Sequence, residues 1–391
     1  LNSAILNKEV QVFIDENLNT DISKIILKGS PFEGISVQEL ANQIQAKKKS
    51  ENKLPTWFAA DDIYYPSKIS IEQTSSEITA KYKASLVSGD KIIDITGGFG
   101  IDSYYFSKQF KEVIHCEINT ELSKIVQYNF KQLEIENIDC FAGNGLDILK
   151  DKSQTFDCIY IDPSRRDEAQ GKVFLLKDCE PNIPPKIDFL FTKSDVILIK
   201  NSPILDITST INELKFVKEI HVVATNNDVK ELLFLLEKNH EDSIEIKTIN
   251  FLKKGNQQFN FIYNQQKQAT YSKPLTYLYE PNSAILKSGG FQEIASVLKV
   301  DKIHQHSHLY TSEKLIDFPG RAFKIEHVLN YDKKKLKRLL PENKANITTR
   351  NFPKSVAQIR KEINVKDGGE LYLFFTTDLE DKKIVIVCKK S

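Results

Sequence analysis

Between residues 91 and 263 short apolar runs alternate with segments patterned for helices, and no other feature constrains the fold as strongly. The runs at 91–95, 112–117, 138–141, 157–161, 195–199, 219–224, 244–251 and 258–263 have the length of strands. Stretches 101–110, 120–133 and 144–150 carry apolar residues at helical spacing. Strands alternating with helices build a mostly parallel, doubly wound sheet covered on both faces, which predicts an α/β, Rossmann-like domain. Ligands of such sheets bind outside the carboxyl ends of the strands. Polar residues just after each strand are therefore the candidates for a site.

The first strand runs into Asp94-Ile95-Thr96-Gly97-Gly98-Phe99-Gly100-Ile101-Asp102. This is a glycine-rich turn opening a helix, where backbone N–H groups are left free to meet a ligand. Glu117 follows the second strand, seventeen residues beyond Gly100, where a carboxylate can accept from both ribose hydroxyls of an adenosine. Asn144, between two glycines, follows the third strand and is placed to meet an adenine edge. Asp162-Pro163-Ser164-Arg165-Arg166-Asp167 follows the fourth, with Pro163 presetting a rigid turn and Arg165 and Arg166 suited to clamping a phosphate or pairing with the acids. Lys200-Asn201-Ser202-Pro203 follows the fifth. Each of these has an ordinary structural reading: a solvated strand end for Glu117, a turn residue for Asn144, an ion-pair network for the arginines. Their fall at five consecutive strand ends favours a nucleotide site.

The formal charge of +1 conceals an asymmetry: residues 270–391 hold 22 Lys and Arg against 14 Asp and Glu, and the rest is net acidic. A basic C-terminal third suggests either contact with a polyanion or a lysine-rich solvated surface. Within it, 332–340 reads as a helix with Leu336, Leu339 and Leu340 inward and lysines outward. Lys334 and Arg338, with Arg350 and Lys354 further on, form a candidate phosphate-contacting patch. His304, His306 and His308 alternate and would share one face of a strand. With no acidic or Cys partner nearby they read as a polar surface stretch, and no metal is expected. The five cysteines include no CxxC pair, and Cys116, Cys140 and Cys158 sit in apolar runs, so a reducing cytoplasm is expected. No run reaches the ~20 apolar residues of a membrane span, and the first residues lack the order of a signal peptide.

At the strand-end residues the chain resembles the class I S-adenosylmethionine (SAM)-dependent methyltransferases. Their first motif, acid-x-Gly-x-Gly-x-Gly, stands here as Asp94-Ile95-Thr96-Gly97-Gly98-Phe99-Gly100, with Thr96 in place of the first Gly. With Asp102 following, that form is similar to some RNA guanine methyltransferases. The resemblance implies Glu117 as the ribose carboxylate and Asn144 at the adenine-side position, where the family has Asp. It maps the family's Asp/Asn-Pro-Pro-aromatic motif onto Asp162-Pro163-Ser164-Arg165, which lacks the second Pro and the aromatic. More closely, the chain resembles a bacterial group with a DPSRR-type motif and a THUMP-like C-terminal domain. Arg350-Asn351-Phe352-Pro353-Lys354 through Gly368-Gly369 carry that likeness. Such domains serve RNA-modifying enzymes, which implies an RNA substrate such as tRNA or rRNA.

These readings together predict an N-terminal helical region over 1–74, a SAM-dependent methyltransferase domain over 75–265, a small α+β, ferredoxin-like module over 270–319 and a basic THUMP-like domain over 320–391. Asp94, Thr96, Gly97, Gly98, Gly100, Asp102, Glu117 and Asn144 are expected to hold the cofactor. Asp162, Pro163 and Arg165 are expected to be catalytic, and Arg165, Arg166, Lys200 and the C-terminal cations to bind substrate. Ser75 or Ser76 is expected to line the cofactor mouth. The expected reaction is methylation of a nucleobase amine, and the fourth motif holds no Cys for a covalent route. Two alternatives stay open. Gly98-Phe99-Gly100-Ile101-Asp102-Ser103 is one residue from the dinucleotide fingerprint of an NAD-dependent oxidoreductase. A non-catalytic RNA-binding protein that keeps the methyltransferase fold is the other.

Overall fold

The computed structural model describes residues 1–165, 175–340 and 343–391, with Arg165 described by its backbone only. The chain divides into two compact units: residues 1–218 with 233–241, and residues 219–232 with 242–391.

In the first unit, β1 (Lys91–Asp94), β2 (Glu112–Glu117), β3 (Ile138–Ala142), β4 (Cys158–Ile161) and β5 (Val196–Asn201) are hydrogen-bonded in parallel, in the order β5–β4–β1–β2–β3. The order reverses beside β1, which opens a crevice at its carboxyl end. Ile92, Ile93, Ile159, Tyr160, Ile161, Ile197, Leu198 and Ile199 are all buried, an unbroken apolar run rather than an alternation, because helices cover both faces. Helices Ile101–Phe106, Thr120–Gln132 and Gly145–Asp151 follow β1, β2 and β3, so the expected βα alternation holds.

Ahead of the sheet, Ser36 and Glu39 close a capping box on helix Val37–Lys53. The lysine-rich run from Lys47 completes this helix, and Lys47 is buried against Asp15 at 2.5 Å. Trp57 packs its ring 4.6 Å from Tyr104 and 6.5 Å from Phe99, which fastens the N-terminal helices to the glycine turn. Helix Glu77–Ala84 is capped by Ser76.

One strand of the chain, Asp228–Glu237, has no counterpart in the sequence reading. It lies beside Val217–Thr225 in the sheet, after Asn226 and Asn227 at φ 51° and 63°. Two consecutive left-handed asparagines are a tight hairpin signal. The apolar run Leu232–Leu236 beyond them fits helix and strand equally by periodicity.

The second unit holds a seven-stranded sheet in the order Asp301–Lys302, Tyr310–Ser312, Tyr277–Pro281, Gly320–Asn330, Lys383–Lys390, Leu371–Thr377, Asn346–Thr349. Alternate residues of its central strands feed two cores. Leu373, Phe375, Val385 and Val387 pack with Leu336, Ile359 and Ile363 from helices Lys333–Leu339 and Val356–Ile363. Phe374, Ile384, Ile386 and Cys388 pack with Leu278, Ile303, Leu309 and Phe323. The second core draws on residues from both sides of position 320, so 277–319 and 320–390 share one sheet and one interior.

The histidine stretch, expected as a polar surface strand or loop, forms a turn. His304 is buried and acts as a hub: its Nδ1 accepts from the His306 N–H (3.1 Å), which leaves Nε2–H to donate to Asp381 at 3.1 Å. His308 stacks on Phe291 with ring centroids 3.6 Å apart, and burial holds its imidazole down at about 4. Among the described residues no group of His, Cys, Asp and Glu is arranged to hold a metal, and no helix is long and apolar enough to cross a membrane.

Candidate functional site at the carboxyl edge of the parallel sheet

The three glycines of the turn are required for different reasons. A Cβ on Gly97 would lie 2.2 Å from Nε2 of His115, whose ring is fully buried beneath the turn. A Cβ on Gly100 would lie 2.7 Å from Phe130, and Gly100 caps the following helix at φ +81°. Gly98 also has positive φ (+55°), yet a Cβ there would meet nothing closer than the Thr96 carbonyl at 4.0 Å. Its N–H donates to Oε2 of Glu117 at 2.9 Å. Two of the glycines are thus demanded by packing, and the third borders open space beside a carboxylate.

Asp94 braces the turn from below. Its carboxylate accepts from Ser103 Oγ (2.7 Å) and the Thr96 N–H (3.0 Å) and is almost wholly buried. Burial drives its pKa up to about 8 against the pull of those two hydrogen bonds, with the Asp102 and Asp162 charges adding to the rise. Asp94, expected among the residues that hold the cofactor, has its carboxylate committed to bracing the turn. Ser103, the residue that breaks the dinucleotide fingerprint, is the donor Asp94 needs. Thr96, where the family has glycine, accepts the Asp162 N–H on its hydroxyl at 2.6 Å and so ties the first strand end to the fourth.

Asp102 also differs from expectation. Its Oδ2 accepts from Ser75 Oγ at 2.9 Å and the Tyr160 hydroxyl at 2.8 Å, and its Oδ1 lies 3.3 Å from the ammonium of Lys83, which is 0% exposed. Lys83 also donates to Ser75 (3.1 Å). Ser75 and Asp102 are therefore spent on a buried network that fixes helix Glu77–Ala84 to the sheet, because a buried ammonium must find its counter-charge. Ser76 is committed to its cap.

Glu117 sits half-buried at the end of β2, its Oε1 taken by the Asn119 N–H at 2.7 Å and each oxygen keeping a free lone pair. Ile118, directly after it, is 71% exposed, an apolar surface at the strand end that the sequence reading passed over. His115 was passed over too, its ring held neutral by burial at about 4. Asn144 caps helix Gly145–Asp151, accepting from the Leu146 (2.9 Å) and Asp147 (3.4 Å) N–H groups. Its oxygen is thus occupied, which leaves only the amide N–H₂ for any ligand.

At the fourth and fifth strand ends, Asp162 forms an ion pair with Lys200 across 38 residues of sequence. Pro163 is buried beside it, and Ser164–Arg165 pairs antiparallel with Cys179–Glu180. The Arg165 side chain and all of Arg166 lie outside the described residues. Asn201 is 2% exposed, and neither end of its amide has a hydrogen-bond partner among the described residues.

The candidate RNA-contacting cations of the second unit divide into two sets. Lys334 and Arg338 are exposed on helix Lys333–Leu339, alongside Lys335 and Lys337. Arg350 is instead drawn to the buried Glu280 at 3.0 Å, which also binds Arg321. Lys354 pairs with Glu362 at 2.8 Å, with Tyr331 donating to the same carboxylate. Arg350 and Lys354 are thus each held by a carboxylate, which Arg350 shares with Arg321 and Lys354 with Lys333. The same unit carries a groove of about 570 Å³ lined by residues including His327, Lys344, Glu370 and Lys389.

A crystal structure from Porphyromonas gingivalis W83, described as a "putative methyltransferase", superposes with a TM-score of 0.89 at 32% identity, covering 100% of this chain and 98% of that one. This chain belongs to the same family. Two family models match within it, a ferredoxin-like domain over residues 277–319 and a THUMP domain-like region over 320–390. This chain thus joins a methyltransferase fold to a THUMP-like domain. Outside it, an rRNA methylase from Streptococcus thermophilus aligns at 14% identity and a TM-score of 0.31, over 42% of this chain and 98% of its own. TrmK of M. capricolum, bound to S-adenosylhomocysteine, aligns at 17% and 0.31, over 41% and 68%. At those scores neither likeness bears on this family's substrate. No curated protein matches the sequence.

Proposed function

We propose that this chain is a SAM-dependent methyltransferase that methylates a nucleobase amine in structured RNA. The observation that carries the reading is the hydrogen-bonded bridge from the glycine turn to Asp162 through Thr96, with the Gly98 N–H and the Glu117 carboxylate beside it. The open space that a Cβ on Gly98 would enter is where the residues fit a cofactor: backbone N–H groups for its amino-acid end, Glu117 for ribose hydroxyls, exposed Ile118 for the flat face of adenine. When bound, SAM supplies a methyl group on a positively charged sulfur.

Methyl transfer is an in-line displacement, so the chain's contribution is alignment. Asp162, its backbone pinned by Thr96 and its turn set by Pro163, accepts a hydrogen bond from the acceptor amine and fixes its direction. The amine nitrogen then loses one proton, for which the same carboxylate is the nearest acceptor. The RNA half of the reading is supported by the exposed cations of helix Lys333–Leu339 and by the THUMP domain-like match.

Calorimetry with SAM tests the cofactor half: the full chain should bind, and Gly98→Ala and Glu117→Ala should weaken binding. Absence of binding by the wild type would sink the reading. Labelled methyl transfer into RNA, lost in Asp162→Ala, tests the rest.

A further inference from the structure

Lys200 is the one residue at the strand ends that the methyltransferase motifs do not call for, yet it sits on the residue assigned to the acceptor. Its ammonium touches the Asp162 carboxylate: Lys200 lies on the fifth strand, and Asp162 directly follows the fourth, with the ladder between them pairing Ile161 with Ile199 just before. The pair is therefore set at the edge of the sheet. A carboxylate next to an ammonium offers an acceptor and a donor within one hydrogen-bond length of each other. The complementary partner has a donor N–H₂ and an acceptor ring nitrogen bonded to the same carbon. Adenine, cytosine and guanine each carry such an amidine edge on their amino-bearing carbon; uracil and hypoxanthine carry none. Asn201, the next residue, is 2% exposed, and neither end of its amide has a hydrogen-bond partner among the described residues.

We infer that Lys200 and Asp162 together read the amidine edge of the target base: Asp162 accepts from the exocyclic amine, and Lys200 donates to the ring nitrogen beside it. The inference rests on the reading above and sharpens it to one acceptor class and one specificity residue. In the step that follows, the amine lone pair forms the new N–C bond as the C–S bond of the methyl sulfonium breaks. The bonding pair stays on sulfur as a neutral thioether, and one amine proton passes to the Asp162 carboxylate. Lys200 takes no part in the bond changes. It keeps the ring nitrogen in register, so that the amine rather than the ring atom faces the methyl group. An Asn or Gln side chain presents a similar edge. The exposed cations of helix Lys333–Leu339 favour a polyanion over a peptide, and the test separates them.

The full chain is given labelled SAM with total bacterial RNA and, separately, bacterial protein, and the products are identified by mass spectrometry. The label should appear in N6-methyladenosine, N4-methylcytidine or N2-methylguanosine. Label on a ring nitrogen, a base carbon, a ribose or a protein amide overturns the inference, as does SAM binding with no transfer into RNA. With the target known, a synthetic RNA carrying C–H in place of the ring nitrogen should lose about tenfold to a hundredfold in kcat/KM with the wild type. Lys200→Met should lose a similar factor on the native RNA and be indifferent to the C–H replacement, while Lys200→Arg should recover most of the discrimination. Equal rates on both RNAs with the wild type, or undiminished discrimination by Lys200→Met, overturns it. Calorimetric SAM affinity should be the same in Lys200→Met; its loss would assign Lys200 to the cofactor instead. Failure of the wild type to bind SAM at all would defeat the proposed function itself, a different result from any of these.

Discussion

The carboxyl edge of the parallel sheet and the basic face of the second unit use their polar residues in opposite ways. At the sheet edge nearly every polar group is locked to another: Asp94 to Ser103 and Thr96, Thr96 to Asp162, Asp162 to Lys200, Glu117 to Gly98. On the basic face Arg350 and Lys354 are each held by a carboxylate, while Lys334, Lys335, Lys337 and Arg338 of helix Lys333–Leu339 stand exposed. A site that aligns atoms needs side chains fixed by neighbours. A surface that attracts a polyanion needs side chains left alone.

The largest effect should come from breaking the network under the sheet edge. Asp102→Asn removes the buried carboxylate that pairs with Lys83 and accepts from Ser75 and Tyr160, which should cost about 3–5 kcal/mol in chemical denaturation. Lys83→Met with Asp102→Asn should recover much of that, since both buried charges are then gone. Next come the glycines. Gly97→Ala should unfold at markedly lower temperature because the methyl enters the His115 ring. Gly98→Ala should fall only by about 1 kcal/mol, the cost of a left-handed residue, while its SAM affinity falls by more than its stability. A Gly98→Ala variant that binds SAM like the wild type would erase the distinction drawn within the turn.

On the basic face, Lys334→Glu with Arg338→Glu should weaken RNA binding and flatten its salt dependence. Lys354→Ala, whose ammonium is held in place by Glu362, should change that slope little. Equal effects from both would mean that pairing does not decide which cations are used. A further set of signals is expected in pH. His115 is depressed to about 4 from an ordinary 6.5, so its contribution is intact above pH 6.5 and drains away as pH falls towards 4, on the order of 3 kcal/mol in all. Asp94 is raised to about 8, so its contribution is intact at acid pH and is lost as pH rises through 8. A pH series of unfolding midpoints on the wild type, His115→Phe and Asp94→Asn separates the two slopes.

Much of the scaffold was legible because it is written locally. Periodicity marks the five parallel strands, and strand ends mark the edge where Glu117, Asp162 and Lys200 gather. What the sequence could not display is pairing over distance. Asp102 looks like a ligand until Lys83 and Tyr160 close on it from 19 and 58 residues away, and Arg350 looks free until Glu280 reaches it from 70 residues back. Asn144 and Asp94 each have a structural use at their turns that the sequence did not display, since a helix cap and a buried brace have the same residue types as a binding group. The histidine alternation suggested a strand because spacing alone carries no information about a residue such as His308, which turns left-handed at φ 51°.

Trp57 gives this chain an optical property. It is the sole indole of the sequence and is sealed from water, with its ring near Phe99 of the glycine turn and Tyr104 of the helix that the turn opens. Emission on excitation at the red edge therefore comes from one place in the molecule. Any rearrangement of the turn should be read directly from the intensity and colour of that light, with no dye attached and no residue replaced.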